Sequence, residues 1–196
     1  ASTASSTARM GSELVLITLE VHDAGRVNED LQMTEVMTRP ISGGPEWIEV
    51  YNNNAFATSL YGWSINTSSG STSNEVLLQG GVIQGHSVAL FTGSLASQEQ
   101  GNASQMFDLG QYGLLGTGSM NLLDDGSGVI ELRFTRPGKV NPIPNSKAEW
   151  GPQAGLPVGL NQVIVWDGTN TMSSTAWSVQ TGPTPGDVFF EPSNAS

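Results

Sequence analysis

The sequence predicts an all-β chain, a sandwich or barrel of short antiparallel strands. Apolar or alternating segments recur at intervals of roughly ten residues, each closed by turn-forming Gly, Asn, Asp or Pro. No window holds a helical period for more than about two turns. Charged residues make up only 13% of the 196 positions while glycine alone supplies 24, a composition that suits a turn-rich β protein whose surface is wetted by hydroxyls and amides.

The elements follow in order. Residues 1–12 are low in complexity and are expected to be a flexible arm. ELVLITLEV, residues 13–21, is β-branched and apolar and predicts a strand, ended by turn chemistry at Asp23 and Gly25. LQMTEVM (31–37) and EWIEVYN (46–52) come next. In the second of these, strand alternation sets Glu46, Ile48 and Val50 on one side and Trp47, Glu49 and Tyr51 on the other. Asn52 ends the strand, and the asparagines that follow, Asn53 and Asn54, read as a loop cap, because asparagine tolerates turn conformations and bonds its own backbone. Further strands are expected at YGWSINT (61–67), EVLLQ (75–79), SVALFTG (87–93), SMNLLDD (119–125), VIELRF (129–134) and QVIVWD (162–167). SLASQEQ (94–100) is expected to form one helical turn, and Asp125, Gly126 and Gly128 predict a tight hairpin within LLDDGSGVIEL. The Pro-rich stretch 136–160 reads as a long surface loop. The division is therefore an arm and extra strand over 1–30 and a sandwich over 31–196, with a Pro-rich insertion near 136–160.

Composition excludes several functions. The formal net charge is −11 and the isoelectric point near 4.3, so nucleic acid and anionic membranes are repelled. Arg133, Arg136 and Lys139 come nearest to a basic patch. There is no cysteine, hence no disulfide and no Cys-based metal site. The longest apolar run, LVLITL (14–19), is too short for a membrane span, and a soluble chain is expected. The start at Ala1 in a small-residue segment resembles what a signal peptidase leaves, which points to an extracellular or cell-surface protein.

Catalytic patterns are missing as well. His22 and His86 are far apart and lack HExxH spacing, and both read as solvent-facing turn residues. No serine occupies a GxSxG elbow, and no glycine run has Walker or Rossmann form. Glu46 and Glu49, three apart on a strand, point to opposite faces and cannot flank one glycosidic bond. The acidic turn at Asp124 and Asp125 lacks the spaced oxygens of an EF-hand. No catalytic residue, metal site or cofactor is expected.

The stretch EWIEVYNNNAFATSLYGWSI resembles the signature of the lamin tail domain family. GGVIQGHSVALFTG, LLGTGSMNLLDDGSGVIELRF and WSVQTGPTPGDVFF resemble later segments of that family in its order, so the likeness runs over roughly 31–186. It implies an immunoglobulin-like β-sandwich with a binding or structural role and carries no catalytic residues to transfer. In such a sandwich the spacing points Ile48, Val50, Trp63, Ile65, Leu77, Val88, Leu90, Leu122, Ile130, Leu132, Val163 and Val165 inward.

The functional expectation is a non-catalytic structural protein that assembles with copies of itself into a surface layer or filament. Leu14, Val15, Leu16, Ile17, Leu19 and Val21 form the strand that would add to a sheet edge, either in its own subunit or in the next. The alternative is a monomeric adhesin or carbohydrate-binding module presenting Tyr51, Tyr61, Tyr112 or Trp150 to a glycan. Sequons place candidate N-glycosylation at Asn66, Asn102 and Asn194.

Overall fold

The computed structural model describes residues 2–10, 13–21, 31–40, 44–69, 72–78, 80–93, 101–109 and 126–187, the first two of these by strand pairing alone. Its architecture is all-β. Strands β1 (Ser2–Met10) and β2 (Glu13–Val21) form a two-stranded ribbon. Ten of the remaining strands form two larger sheets. The first contains β3 (Leu31–Met37), β4 (Trp47–Asn52), β9 (Val88–Thr92), β10 (Gln105–Asp108), β13 (Gln162–Trp166) and β14 (Trp177–Thr181), in the order β10-β9-β4-β3-β13-β14. The second contains β6 (Trp63–Ser69), β7 (Thr72–Leu77), β11 (Gly128–Phe134) and β12 (Ile143–Trp150), in the order β12-β11-β6-β7. Short strands β5 (Thr58–Ser59) and β8 (Val82–Ile83) pair at one end. All pairings are antiparallel except β9 with β10.

The two large sheets pack through one apolar cluster. Val36, Ile48, Val50, Ala89, Phe91, Ile164 and Trp166 enter it from the six-stranded sheet, and Trp63, Ile65, Val76, Ile130, Leu132 and Ala148 enter from the four-stranded one. Alternation explains Ile48 and Val50, as expected. On β9 and β13 the inward positions are Ala89, Phe91, Ile164 and Trp166, whereas Val88, Leu90, Val163 and Val165 lie in a second cluster with Trp47 and Tyr51. These two strands are apolar on both faces, so their sequence gives no period from which to choose the inner one. Leu77 is also placed differently: it is 50% exposed, and Val76 and Leu78 are buried in its stead. SLASQEQ and the first arm of the LLDDGSGVIEL hairpin, SMNLLDD with Leu122, lie outside the described residues, while its second arm forms β11.

Two expected loops are strands. The arm at Ser2–Met10 pairs along its whole length with β2. Within the Pro-rich stretch, Ile143–Trp150 is an eight-residue edge strand. Proline is compatible with an edge because its missing N–H removes no bond from an inner ladder. The register slips between Leu132 and Arg133, so that Ser146 and Pro144 are paired and Asn145 is the extra residue.

This bulge has a structural use. The β3–β13 ladder reaches only from Glu35 to Met37, so it does not extend to the start of β3. There Asn145 Nδ2 donates to the Leu31 carbonyl at 2.6 Å, and Ser146 Oγ accepts from the Met33 amide at 3.3 Å. Side chains from one sheet thus satisfy backbone groups of the other, which a buried strand requires. At the far end of β12, Trp150 packs over Gly128, where any Cβ would come within 2.6 Å of the indole ring.

Candidate functional site

A buried polar cluster lies on the outer face of the six-stranded sheet. Antiparallel pairing sets Glu35 of β3 directly opposite Glu49 of β4. A register shift between Met33 and Glu35 makes Thr34 an extra residue there, and Thr34 Oγ1 donates to Glu49 Oε1 at 2.5 Å. Both carboxylates are buried, with Glu35 1% and Glu49 0% exposed. Among the described residues no basic side chain pairs with either one.

What covers the pair is the segment 182–187, just beyond β14. The Thr184 amide donates to Glu35 Oε1 at 3.2 Å, and its hydroxyl lies 3.3 Å from both Glu35 oxygens. The Gly186 amide donates to Glu49 Oε2 at 2.6 Å. On its other side the Pro185 carbonyl accepts from the Asn102 amide at 2.8 Å, while Asn102 Nδ2 donates to Asp187 Oδ1 at 2.7 Å. Gly186 is required twice over. Its φ is +87°, and a Cβ would collide with the Ala103 nitrogen.

Burial is the main influence on both acids. It pushes the Glu35 carboxyl up to about 7, helped by the facing Glu49 and, weakly, by Asp187, against the opposing Thr184 hydrogen bonds. Burial likewise pushes Glu49 up to about 7, against the stabilising hydrogen bonds from Thr34 and Gly186. Near neutrality the pair therefore retains protons that exposed carboxylates would have lost. Chemically this is a clamp on backbone amides rather than a reaction centre, because neither acid is open to a substrate.

The expected alternation holds along β4, since Ile48 and Val50 join one cluster and Trp47 and Tyr51 the other, while Glu46 precedes the strand. Glu35 is the member of the site that the sequence does not announce. Antiparallel partners share a constant index sum, so counting back from the β3–β4 connection aligns it with Glu49, but the bulge at Thr34 breaks that count for the rest of the strand.

Other expected site residues scatter. Tyr51 is 3% and Trp150 2% exposed, so these two rings are packed and not offered to a ligand. The Tyr51 hydroxyl lies 3.3 Å from His86 Nδ1, and burial raises the phenol above its ordinary pKa. Tyr61 is 79% exposed, joined by Phe56 at 80%, a ring that no sequence pattern singles out. Asn66 is buried within β6 and donates to Ser73 Oγ at 3.0 Å, a position closed to a glycan in the folded chain. Asn102 is exposed, with its amide held by Asp187. His22, Tyr112 and Asn194 lie outside the described residues.

Asn52, the last residue of β4, organises the loop that follows. Fully buried, it donates to the carbonyls of Phe56, Ile83 and Gln84 at 2.9, 2.9 and 3.1 Å and accepts from the Asn54 amide and the Thr58 hydroxyl.

Leu14, Val15, Leu16, Ile17, Leu19 and Val21 all lie in β2. Its nine residues pair without a register shift to β1, from Glu13 opposite Met10 to Val21 opposite Ser2. Among the described residues no third strand joins either edge of that ribbon. No group of three or more His, Asp or Glu among the described residues is placed to hold a metal ion. Compared with known proteins, the chain matches no family model and no curated protein.

Proposed function

We propose that the chain is a non-catalytic extracellular structural protein that assembles with copies of itself through its N-terminal ribbon. The observation that carries this reading is the outer edge of β2, with which no strand among the described residues pairs. It is nine residues long, unbulged, and free of proline and lysine. Monomeric β proteins ordinarily interrupt such an edge, since its unpaired N–H and C=O groups template pairing with another chain. A lone two-stranded ribbon is at best marginally stable in water, so a third strand would stabilise it. The sandwich then serves as the repeated body of a filament or layer, and strand addition serves as its joint.

A lamin-tail-like, immunoglobulin-like body is part of the same proposal. EWIEVYN supplies the central strand β4, YGW leads into β6, and the Thr-Pro-Gly segment docks on Glu35 and Glu49. Sedimentation velocity and electron microscopy of the full chain test the assembly. Expected is a size distribution that grows with concentration and collapses to monomer when residues 1–21 are deleted. Dispersed monomers at all concentrations would end the proposal. A second reading, a monomeric glycan-binding module, draws on the exposed rings of Phe56 and Tyr61. Saturable glycan binding by a stable monomer, lost in Tyr61→Ala, would favour it.

A further inference from the structure

We propose that segment 182–187 is a proton-controlled latch, closed on the six-stranded sheet while the Glu35–Glu49 pair keeps a proton and lifted when both carboxylates ionise. The geometry makes the segment, and not the sheet, the part that moves. β3 and β4 are neighbouring inner strands of the six-stranded sheet, held by ladders to β13 and β9 as well as to each other. Neither can carry its carboxylate to water without breaking those ladders. The segment 182–187 follows the edge strand β14 and meets the acid pair through the Thr184 and Gly186 amides and the Thr184 hydroxyl. Releasing it admits water to both acids at the loss of a few hydrogen bonds.

Among the described residues nothing charged opposes the repulsion. The charges acting on the pair are the two carboxylates themselves and Asp187 on the segment. From the other elements, β9 brings Leu90, β13 brings Val163 and Val165, and residues 101–109 bring Ala103 and Met106 to the adjoining cluster. None of these titrates. The closed form holds its carboxyls near 7 instead of the ordinary 4.5. It therefore binds protons more tightly than a form whose acids have regained water, and closure weakens as pH rises toward about 7. Acid closes the latch and neutrality loosens it.

Amide exchange of Thr184 and Gly186 in the full chain, divided by the intrinsic rate at each pH, reads the opening constant. It should rise by up to about tenfold per pH unit for each proton released as pH climbs toward about 7, then level off. The Ile164 amide, on an inner ladder, should not follow. In the Glu35→Gln/Glu49→Gln double variant the profile should be flat. Asp187→Asn, an exposed change that does not threaten the fold, should level off at lower pH with a smaller total rise. A flat wild-type profile, an undiminished rise in the double variant, or an unchanged plateau in Asp187→Asn would each overturn the latch. The self-assembly reading is untouched by any of these results.

Discussion

On β4, the inward positions Ile48 and Val50 join a continuous apolar cluster, whereas the outward Glu49 meets a second carboxylate, a hydroxyl and a backbone amide. The two faces of one sheet are thus held by different physics. Inside, cohesion comes from removing hydrocarbon from water and is insensitive to pH. Outside, a chain segment is fastened by hydrogen bonds to acids that burial has made reluctant to ionise. The difference teaches that total burial is no guide to how firmly a region is held: Glu49 and Val50 are both 0% exposed, yet they answer to different conditions.

The largest expected effect breaks the inner face. Trp63 is fully buried and its ring lies 5.1 Å from that of Phe134. Trp63→Ala should lower the unfolding free energy by about 3–5 kcal/mol, equally at pH 5 and pH 8. Urea denaturation measures this, and a loss below about 1 kcal/mol would mean that the two sheets are not packed through that residue.

Next is the outer face. The folded-state carboxyls of Glu35 and Glu49 are raised, so their contribution to stability is fully present below about 4.5 and is lost as pH climbs through about 7. Measured against Glu35→Gln/Glu49→Gln, the wild type should lose stability across that window, each tenfold difference in proton affinity between the folded and unfolded chain being worth roughly 1.4 kcal/mol. Parallel curves for the two proteins would show that the acids titrate alike folded and unfolded.

The smallest effect belongs to the exposed face of the other sheet, where Lys147 Nζ lies 3.1 Å from Glu149. Lys147→Ala should change stability by less than about 0.5 kcal/mol, and about 0.5 M salt should erase the difference. A larger, salt-resistant loss would mean that this pair is organised more like the outer face of β4 than its exposure suggests.

What was legible in the sequence follows the same division. β3 is read with both its ends correct, and β4, β6, β11 and β13 to within one or two residues, because apolar periodicity and turn residues frame each of them. Alternation also placed Ile48 and Val50 inward. It failed on β9 and β13, where a second cluster makes both faces apolar and removes the signal. β12 was hidden by Pro144 and the Pro-rich stretch around it, although an edge position tolerates proline. The arm at Ser2–Met10 read as unstructured because its small polar residues have no pattern of their own, and its pairing is with the apolar β2. The clamp was least legible of all. Glu35, Glu49 and Thr184 come from three separate stretches, and the bulge that sets Thr34 Oγ1 against Glu49 leaves no mark in composition.

Gly128 and Trp150 have a consequence for how this sequence can drift. With a Cβ at position 128 approaching the indole to 2.6 Å, the two residues form one steric unit divided between strands. A larger residue at 128 is admissible only in a lineage that has already surrendered the tryptophan. Losing the tryptophan first would leave a void over the glycine. Relatives of this chain should therefore carry both residues or neither, and that paired inheritance would trace the β11–β12 contact where the surrounding sequence has diverged beyond recognition.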